Sequence, residues 1–326
     1  MRSLTTPVKL EDSSVSISES TIILTLGSCF ADHIGKRLEV SKFDVVNNPL
    51  GTTFNPISIA KHLNCALDRT QISDRDVNED KGRFFHYDFH SSFNADNKAE
   101  VVSGINTELQ ALGSRLLKSD IVFVTLGTSI AYEYRATKSI VSNCQKMPSK
   151  NFERKFLDID EMVDALDVSI NKLESVNKSC KIVLTVSPVR HTKEGIIDNQ
   201  RSKARLVQIC HHLCEAYDQI SYFPSFEIMM DELRDYRFYK QDLIHPTDLA
   251  VDIIYDKFKT IYFTSESLKF EKEISKINSA IAHQPFDSKS VEFKKFCQSN
   301  LNALEELALQ YESLNLKSEN KYFRQW

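Results

Sequence analysis

Five short apolar segments constrain the fold of this chain more than any other feature. Each is a nearly continuous run of residues such as Ile, Val and Phe that ends at glycine or proline, as buried strands do. They are residues 22–27, 43–49, 120–127, 181–188 and 220–224.

The segments between these predicted strands carry apolar residues at helical spacing. They include residues 34–38, 57–67, 109–117, 162–173 and 204–217. A parallel neighbour can be reached only through a crossover connection. The alternation therefore predicts an α/β fold, with a parallel sheet and helices on both of its faces.

The character of the sequence changes after about Ser265. No further strand pattern follows, and an amphipathic run at helical spacing occupies the last part of the chain. Its apolar positions are Val291, Phe296, Leu301, Leu304, Ala308 and Tyr311. We expect one α/β domain over residues 1–264 and a C-terminal helical extension over residues 265–326. The extension is expected to pack on the body or on a second copy in a homo-oligomer.

The charge balance narrows the classes of partner. The 326 residues include 41 Lys and Arg against 45 Asp and Glu, a net charge of −4. Without a basic surplus, neither nucleic acid nor an anionic membrane is expected. The first apolar run, residues 22–26, is too short to span a bilayer, and the polar N-terminus lacks a signal-peptide core. We expect a cytoplasmic protein with a small-molecule substrate.

The cysteines and histidines show no metal-site spacing. The seven cysteines are scattered without C-x-x-C pairs, and the nine histidines form no H-x-x-H or H-E-x-x-H group. A reducing compartment fits this pattern, and we expect neither a metal nor another cofactor.

Chemistry-bearing residues follow the predicted strands, at the edge where parallel sheets bind ligands. Asp242 precedes His245 by three residues after the last strand. This spacing can place the carboxylate against the imidazole, fixing its tautomer and stabilising the imidazolium. Gly27 and Gly127 close the first and third strands, and Gly51 follows the second, where tight turns and close backbone approach are needed.

Two potential nucleophiles, Ser28 and Cys29, stand where the first strand becomes a helix. Unpaired N–H groups at a helix N-terminus favour an anion, which predicts a lowered pKa for a thiol there. Serine would need a general base. A structural interpretation is also open, in which Ser28 caps the helix and Cys29 is an inert buried residue.

Six spaced motifs carry a family resemblance. They are LGSCFADHIGKRL, NNPLGTTFNPISIA, FVTLGTSIAYEY, LTVSPVRHTKEG, NQRSKA and YFPSFEIMMDELRDYRFYKQDLIHP. Together they resemble the GSCFA family, which is grouped with the SGNH (GDSL-like) hydrolases, over about residues 20–260. The resemblance implies a flavodoxin-like three-layer α/β/α sandwich. It also implies a nucleophile after the first strand, oxyanion donors after the second and third, and an Asp-x-x-His pair after the last.

The first motif departs from the SGNH pattern. Those enzymes carry Gly-Asp-Ser, which aligned on Gly27-Ser28-Cys29 places Cys29 at the nucleophile position. We therefore expect Cys29 rather than Ser28 to attack, with Asp242 and His245 as the catalytic pair.

The implied oxyanion donors are also altered. Gly51 matches the family's second-block glycine, whose backbone N–H is a donor. Ser129 stands where the third-block asparagine is usual. Asn48 or Asn55 is a candidate replacement, although a turn asparagine that caps its own backbone explains either one equally well.

Four further residues are candidates for substrate binding. Arg190 and His191 follow the fourth strand, and His90 belongs to a long aromatic-rich connection. Arg237 lies in a charged segment, residues 231–237, whose ion pairs can instead hold the His245 loop in place.

Two functions follow as expectations. The first is an SGNH-like hydrolase or acyltransferase of the esterase type. Its expected substrate is an O-acyl ester of a carbohydrate or similar polar metabolite, and acetyl is the leading candidate for the acyl group. The second is a non-catalytic binding or scaffold protein with the same fold. A nucleotide-binding flavodoxin-like protein is disfavoured because no G-x-G-x-x-G loop follows the first strand.

Overall fold

A parallel five-stranded sheet forms the centre of the molecule. The structure, a computed structural model, describes residues 5–11, 13–311 and 314–326. Its strands are β1 (Ile23–Gly27), β2 (Val45–Asn47), β3 (Asn78–Asp80), β4 (Arg83–Phe85), β5 (Ile121–Leu126), β6 (Ile130–Tyr134), β7 (Ser139–Val141), β8 (Phe152–Phe156), β9 (Lys181–Val186) and β10 (Ile220–Phe223). Its helices are α1 (Cys29–Val40), α2 (Pro56–Leu67), α3 (Lys98–Leu116), α4 (Ile159–Val176), α5 (Ile196–Ala216), α6 (Ser225–Glu227), α7 (Asp248–Tyr262), α8 (Ser265–Ala282), α9 (Val291–Gln310) and α10 (Lys317–Arg324).

The strand order in the central sheet is β2-β1-β5-β9-β10, and each neighbouring pair is parallel. This is the doubly wound order of flavodoxin-like folds, whose strand order reverses between β1 and its neighbour β5. The five predicted strands are the five strands of this sheet, so the predicted parallel α/β architecture is confirmed.

Two hydrophobic cores cover the two faces of the sheet. Along each strand, successive side chains point to opposite faces. Leu24 and Val122 thus belong to one core with helices α2 to α5, whereas Ile23 and Phe123 belong to the other core with α1 and α7. The result is a three-layer α/β/α arrangement.

The C-terminal helices share the second of these cores. Side chains of α8, α9 and α10, including Phe270, Leu304 and Phe323, are buried in the same cluster as Phe43 and Phe263 of the body. Lys42 also forms a 2.7 Å salt bridge to Glu319 of α10. Within one chain, the helical extension therefore packs on the α/β body.

A small antiparallel sheet, which the sequence analysis did not predict, is inserted after β5. Its order is β7-β6-β8, and a β3–β4 hairpin lies apart from it. Phe85 and Tyr87 pack with Val141 and Phe152 of this small sheet, so the aromatic-rich connection contributes to a third, minor core.

Among the described residues, no helix combines the length and apolar character needed to cross a membrane.

Candidate active site

A cavity of about 590 Å³ opens at the carboxyl ends of the central strands. That volume is within the range of small-molecule sites. Its lining comes from the segments that follow β1, β2, β5 and β9, from β6 and the end of β7 in the small antiparallel sheet, and from the loop before α7. The lining residues are Cys29, Phe54, Asn55, Thr128, Ile130, Ala131, Tyr132, Val141, Ser142, Asn143, Cys144, Val189, Arg190, His191, Thr192, Lys193, Ile244 and His245. The cavity therefore occupies the place where such sheets bind ligands.

The turn after β1 separates the roles of Ser28 and Cys29. Ser28 is fully buried, and its Oγ accepts a hydrogen bond from the Phe30 N–H at 3.3 Å, as an N-cap does. Cys29 is the first residue of α1, is partly exposed and lines the cavity. Gly27 permits this turn, since its φ is +121° and an added Cβ would lie 2.1 Å from the Thr125 carbonyl oxygen.

The expected lowering of the Cys29 pKa is wrong. Burial raises the pKa of this thiol above its ordinary value, and the nearby Asp32 carboxylate raises it further. The Lys203 charge and the N–H groups of Cys29 and Phe30 oppose this rise but do not outweigh it. Cys29 is therefore a protonated thiol at neutral pH, and a reaction at its sulfur needs a proton acceptor.

His245 is held by the Asp242 carboxylate. Nδ1 of the imidazole lies 2.7 Å from Asp242 Oδ2, while Oδ1 accepts from the backbone N–H groups of Ile244 at 2.9 Å and His245 at 3.0 Å. These hydrogen bonds hold the pKa of the Asp242 carboxyl well below its usual range. Because an ionised carboxylate only accepts, Nδ1 carries the proton and Nε2 is left as an acceptor.

The loop that carries this pair is tied to the sheet edge. Tyr239 and Pro246 form an antiparallel bridge across its base. Arg190, in the segment that follows β9, donates from its backbone N–H to the Ile244 carbonyl and from its guanidinium to the Leu243 carbonyl, both at 3.2 Å. Leu243 has a φ of +57°, a conformation that needs such support. Arg190 thus positions the His245 loop as well as lining the cavity.

The structure brings only some of the candidate residues to the cavity. Cys29 and His245 line it together, and Asp242 lies behind His245. Within the described part of the chain, no hydrogen bond joins the Cys29 thiol to the His245 ring. Such contacts are often long before substrate binds.

Among the oxyanion candidates, Gly51 and Asn48 are used structurally. The Gly51 N–H donates to the Asn48 carbonyl at 2.8 Å, and an added Cβ on Gly51 would lie 2.5 Å from His90 Cβ. The Asn48 amide donates to Asp32 at 2.7 Å and accepts from the Gly27 N–H at 2.8 Å. Neither residue lines the cavity, because both are engaged in closing the turn after β2.

Of the other two oxyanion candidates, Asn55 lines the cavity and Ser129 does not. Ser129 is fully buried, and its N–H donates to Ser202 Oγ at 2.7 Å, so it lies outside the cavity lining. Asn55 lines the cavity while capping α2, where its Oδ1 accepts from the Ser58 N–H and its Nδ2 donates to Ser58 Oγ. An amide nitrogen has two donors, so Asn55 retains one for a ligand.

Two of the predicted substrate-binding residues lie away from the cavity. His90 caps a short turn, where its Nδ1 accepts from the Ser92 N–H at 3.2 Å. Arg237 is exposed and faces Asp235 at 3.9 Å. In each case a local partner within two residues holds the side chain, which the sequence pattern does not reveal.

His191 does line the cavity and is electrically neutral there. Burial lowers its pKa to about 3, and Coulomb interactions with Lys203 and His245 add to the effect. Its ring packs edge-on against Phe54, and its buried Nε2 has no hydrogen-bond partner among the described residues. A neutral imidazole with an unused nitrogen is suited to a hydroxyl group.

Lys203 was not singled out by the sequence analysis, although it belongs to the NQRSKA motif. It is fully buried on α5, and Nζ donates to the carbonyls of Gly127 and Ser187, both at 2.7 Å. The periodicity of α5 indicates that Lys203 is buried, because it lies on the same helix face as Leu206 and Cys210, which are also buried.

The small antiparallel sheet supplies one wall of the cavity. Tyr132 of β6 and the segment Ser142–Asn143–Cys144 after β7 face it, which adds hydroxyl, amide and thiol groups to the lining. The segment Ile130–Tyr134 is rich in Ile and Tyr, a composition that is typical of a strand. Among the described residues, no group of three or more His, Cys, Asp or Glu side chains is arranged to hold a metal ion.

Of the comparisons with known proteins, the match to family models shows the family of this chain. No curated protein matches this chain. A solved structure described as a "putative platelet activating factor from Streptococcus pneumonia" is similar at 13% identity and a TM-score of 0.39, over 74% of this chain and 83% of that one. A model of the GSCFA family matches residues 22–258, and a model of the GSCFA domain protein, C-terminal domain, matches residues 274–325. The chain belongs to the GSCFA family.

Proposed function

We propose that this protein is an SGNH-like hydrolase or acyltransferase that acts on an O-acyl ester of a carbohydrate or similar polar metabolite. The observation that carries the proposal is the shared lining of one cavity by Cys29 and by the His245 that Asp242 holds. A thiol, an acceptor nitrogen and an orienting carboxylate are the set that acyl transfer through a thioester requires.

The reaction proceeds in two halves. His245 Nε2 takes the proton of the Cys29 thiol, and the sulfur attacks the acyl carbonyl carbon. The C–O bond to the substrate then breaks, and the leaving oxygen receives that proton from His245. In the second half, His245 takes a proton from water or an acceptor hydroxyl, which attacks the thioester, and the thiol regains its proton. Asp242 stabilises the imidazolium in both halves.

The oxyanion of each tetrahedral intermediate needs donors other than the implied glycine, because the Gly51 N–H is already used. The Asn55 amide lines the cavity and retains a donor. The Cys29 N–H has no acceptor in its own helix, since it belongs to the first residue of α1. We assign the oxyanion contacts to these two groups.

The remaining lining fits a substrate rich in hydroxyl groups. His191 offers a neutral imidazole, and Ser142 and Asn143 offer a hydroxyl and an amide. Groups of this kind recognise sugars or similar metabolites through hydrogen bonds.

A covalent trapping experiment tests the proposal. The wild-type chain is incubated with p-nitrophenyl acetate, and the peptides are analysed for an acetyl group on Cys29. We expect a burst of nitrophenol and an acetylated Cys29 peptide, both lost in Cys29→Ala and strongly slowed in His245→Ala. Acetylation at Ser28, or a burst that survives Cys29→Ala, contradicts the assignment.

A second candidate function is a binding protein that uses the same cavity without turnover. The raised pKa of Cys29 and the burial of Ser129, where an oxyanion asparagine is usual, favour it. It predicts that Cys29 is never acylated, while sugars or their esters still bind in the cavity. Calorimetric titration with O-acetylated sugars, run beside the trapping experiment, distinguishes the two.

A further inference from the structure

The lining of the cavity is positively charged, although the chain as a whole is slightly acidic. The sequence has 45 Asp and Glu against 41 Lys and Arg. Among the described residues, those that line the cavity include Arg190 and Lys193 but no aspartate and no glutamate. A cleft lined by charges of one sign raises the local concentration of ligands of the opposite sign. The lining therefore favours an anionic ligand.

Lys193 is held at the cavity by the small antiparallel sheet. Residues 189–193, in the segment that follows β9, all line the cavity, and Lys193 is the exposed end of this wall. Its Nζ lies 3.5 Å from the Tyr132 hydroxyl and 5.4 Å from the centroid of that ring. Burial raises the pKa of the Cys144 thiol, another lining group, and the Lys193 charge lowers it. The ammonium thus acts on groups inside the cavity.

Both cations keep hydrogen-bond donors for a ligand. In the part of the chain that the structure describes, neither Arg190 nor Lys193 forms a salt bridge. The Arg190 guanidinium gives one hydrogen bond to the Leu243 carbonyl at 3.2 Å, whereas a guanidinium has five donors. The Lys193 ammonium has three donors, and the contact with Tyr132 uses one of them.

Two carboxylates lie near the cavity without lining it, and both have other partners. Asp242 accepts from the His245 ring at 2.7 Å and from two backbone N–H groups. Asp32 accepts from the Asn48 amide at 2.7 Å. Neither carboxylate is in contact with the two cations, so an anion from outside can pair with them.

We propose that the ester carries an anionic group, a carboxylate or a phosphate, in its alcohol part, and that Lys193 and Arg190 bind this group. Both anions accept charge-assisted hydrogen bonds from an ammonium and a guanidinium. The acetyl group itself has no charge, so the anion belongs to the alcohol part. The turnover of such an ester rests on the proposed function, whereas selection of an anion by the cavity does not. The cations follow β9 and Cys29 follows β1, so one ligand can contact both walls of the cavity.

Matched acetate esters measure the selection. 4-Acetoxybenzoate and 4-acetoxyphenyl phosphate are anions at pH 7, and methyl 4-acetoxybenzoate is neutral. The readout is the ratio of kcat/KM for each anionic ester to kcat/KM for the neutral one. We expect this ratio to fall about five- to tenfold in Lys193→Gln. Intrinsic reactivity cancels between variants, and the anion whose ratio falls more is the one that the cavity prefers.

Lys150→Gln is the matched control. Lys150 is an exposed lysine in the short turn before β8, and it does not line the cavity. Its substitution removes the same charge from the chain, so the ratio should stay at the wild-type value. A fall as large as that in Lys193→Gln would mean that net charge, and not the cavity, selects the anion.

Two further measurements guard against a folding defect. In Lys193→Glu the charge is reversed, so this variant should prefer 4-(aminomethyl)phenyl acetate, a cation at pH 7, to the neutral ester. In the wild type itself, an increase in ionic strength from about 0.01 M to about 1 M should lower the ratio for the anionic esters, because salt screens charges at an exposed site. The neutral ester corrects for any general effect of salt.

The outcomes separate this inference from the proposed function. If Cys29 is acetylated by p-nitrophenyl acetate but the ratio is unchanged by Lys193→Gln and by salt, only the inference fails. If no ester acetylates Cys29, calorimetric titration of the wild type with 4-acetoxybenzoate and its methyl ester decides. Tighter binding of the anion upholds the inference while the proposed reaction fails, and equal binding overturns both.

Discussion

Replacing Asp242 by asparagine tests whether His245 is the base that Cys29 needs. The wild-type carboxylate accepts from Nδ1 of His245 and from two backbone N–H groups. In Asp242→Asn the amide oxygen can keep the backbone contacts, but the amide nitrogen presents a hydrogen to Nδ1. The imidazole proton is then driven to Nε2, which removes the acceptor that faces the cavity.

The size of the effect follows from the state of the thiol. With a pKa raised above 9.0, less than about 1% of Cys29 is thiolate at pH 7. Attack by preformed thiolate alone therefore gives a rate about a hundredfold lower than attack with a working base. A wrong tautomer costs up to ~10⁴-fold in enzymes with this arrangement. We expect acetylation of Cys29 to slow by about 10²–10⁴, or ~3–5 kcal/mol in the activation free energy.

The assay is the nitrophenol burst at pH 7 and again above pH 9. At the higher pH the thiolate forms without a base, so the difference between Asp242→Asn and the wild type should shrink. The pKa of Asp242 lies below its usual range, so the carboxylate stays ionised as the pH falls through the ordinary Asp range. Asp242 therefore still accepts the hydrogen bond from His245 Nδ1 at mildly acidic pH.

Asp231→Asn is the control, because Asp231 is an exposed carboxylate of the same segment that pairs with Arg234 at 2.6 Å. Its burst should match the wild type. An Asp242→Asn burst within threefold of the wild type at pH 7, in a variant with an unchanged circular dichroism spectrum, refutes the assignment of His245 as the base.

Four further predictions concern stability. Ser28→Ala should lower the free energy of unfolding in urea by ~1 kcal/mol through loss of the α1 cap, while acetylation of Cys29 continues. Gly27→Ala should cost at least ~2 kcal/mol in the same assay, because its Cβ would overlap the Thr125 carbonyl. The His191 imidazole stays neutral in the folded protein but gains a proton below pH 6.5 in the unfolded chain. The free energy of unfolding should therefore fall from pH 6.5 towards pH 3, by up to ~1.4 kcal/mol per pH unit, and this dependence on pH should be weaker in His191→Asn. Leu304→Ala should cost ~2–5 kcal/mol if the extension shares the core of the body, and an unchanged urea midpoint would contradict that packing.

The central sheet was predictable because its signals are local. A buried parallel strand must be apolar on both faces, so the five strands stand out as runs such as residues 120–127 and 181–188. The helices between them follow from apolar spacing alone. The small sheet formed by β6, β7 and β8 was not predicted. Strand β7 is short and β8 carries charged residues, and the burial of both depends on aromatic partners distant in the chain.

The candidate site was likewise predictable only where its signals are local. The three-residue spacing of Asp242 and His245 is a local pattern, and the turn at Ser28–Cys29 is adjacent to a predicted strand end, so both could be selected from the sequence. The use of the Gly51 N–H by Asn48 could not, since it depends on how the turn closes. The exclusion of His90 from the cavity likewise depends on the path of a long connection.

Sequence alone determined the order of the elements, the edge of the sheet where the cavity opens, and the arrival of Cys29 and His245 at that edge. Only the tertiary structure decided the charge state of those residues. Helix position predicted a lowered pKa for Cys29, whereas burial and Asp32 raise it, and a lysine 174 positions later in the chain opposes them. The physical reason is that desolvation and Coulomb interactions sum over everything close in space. Distance along the chain does not enter that sum.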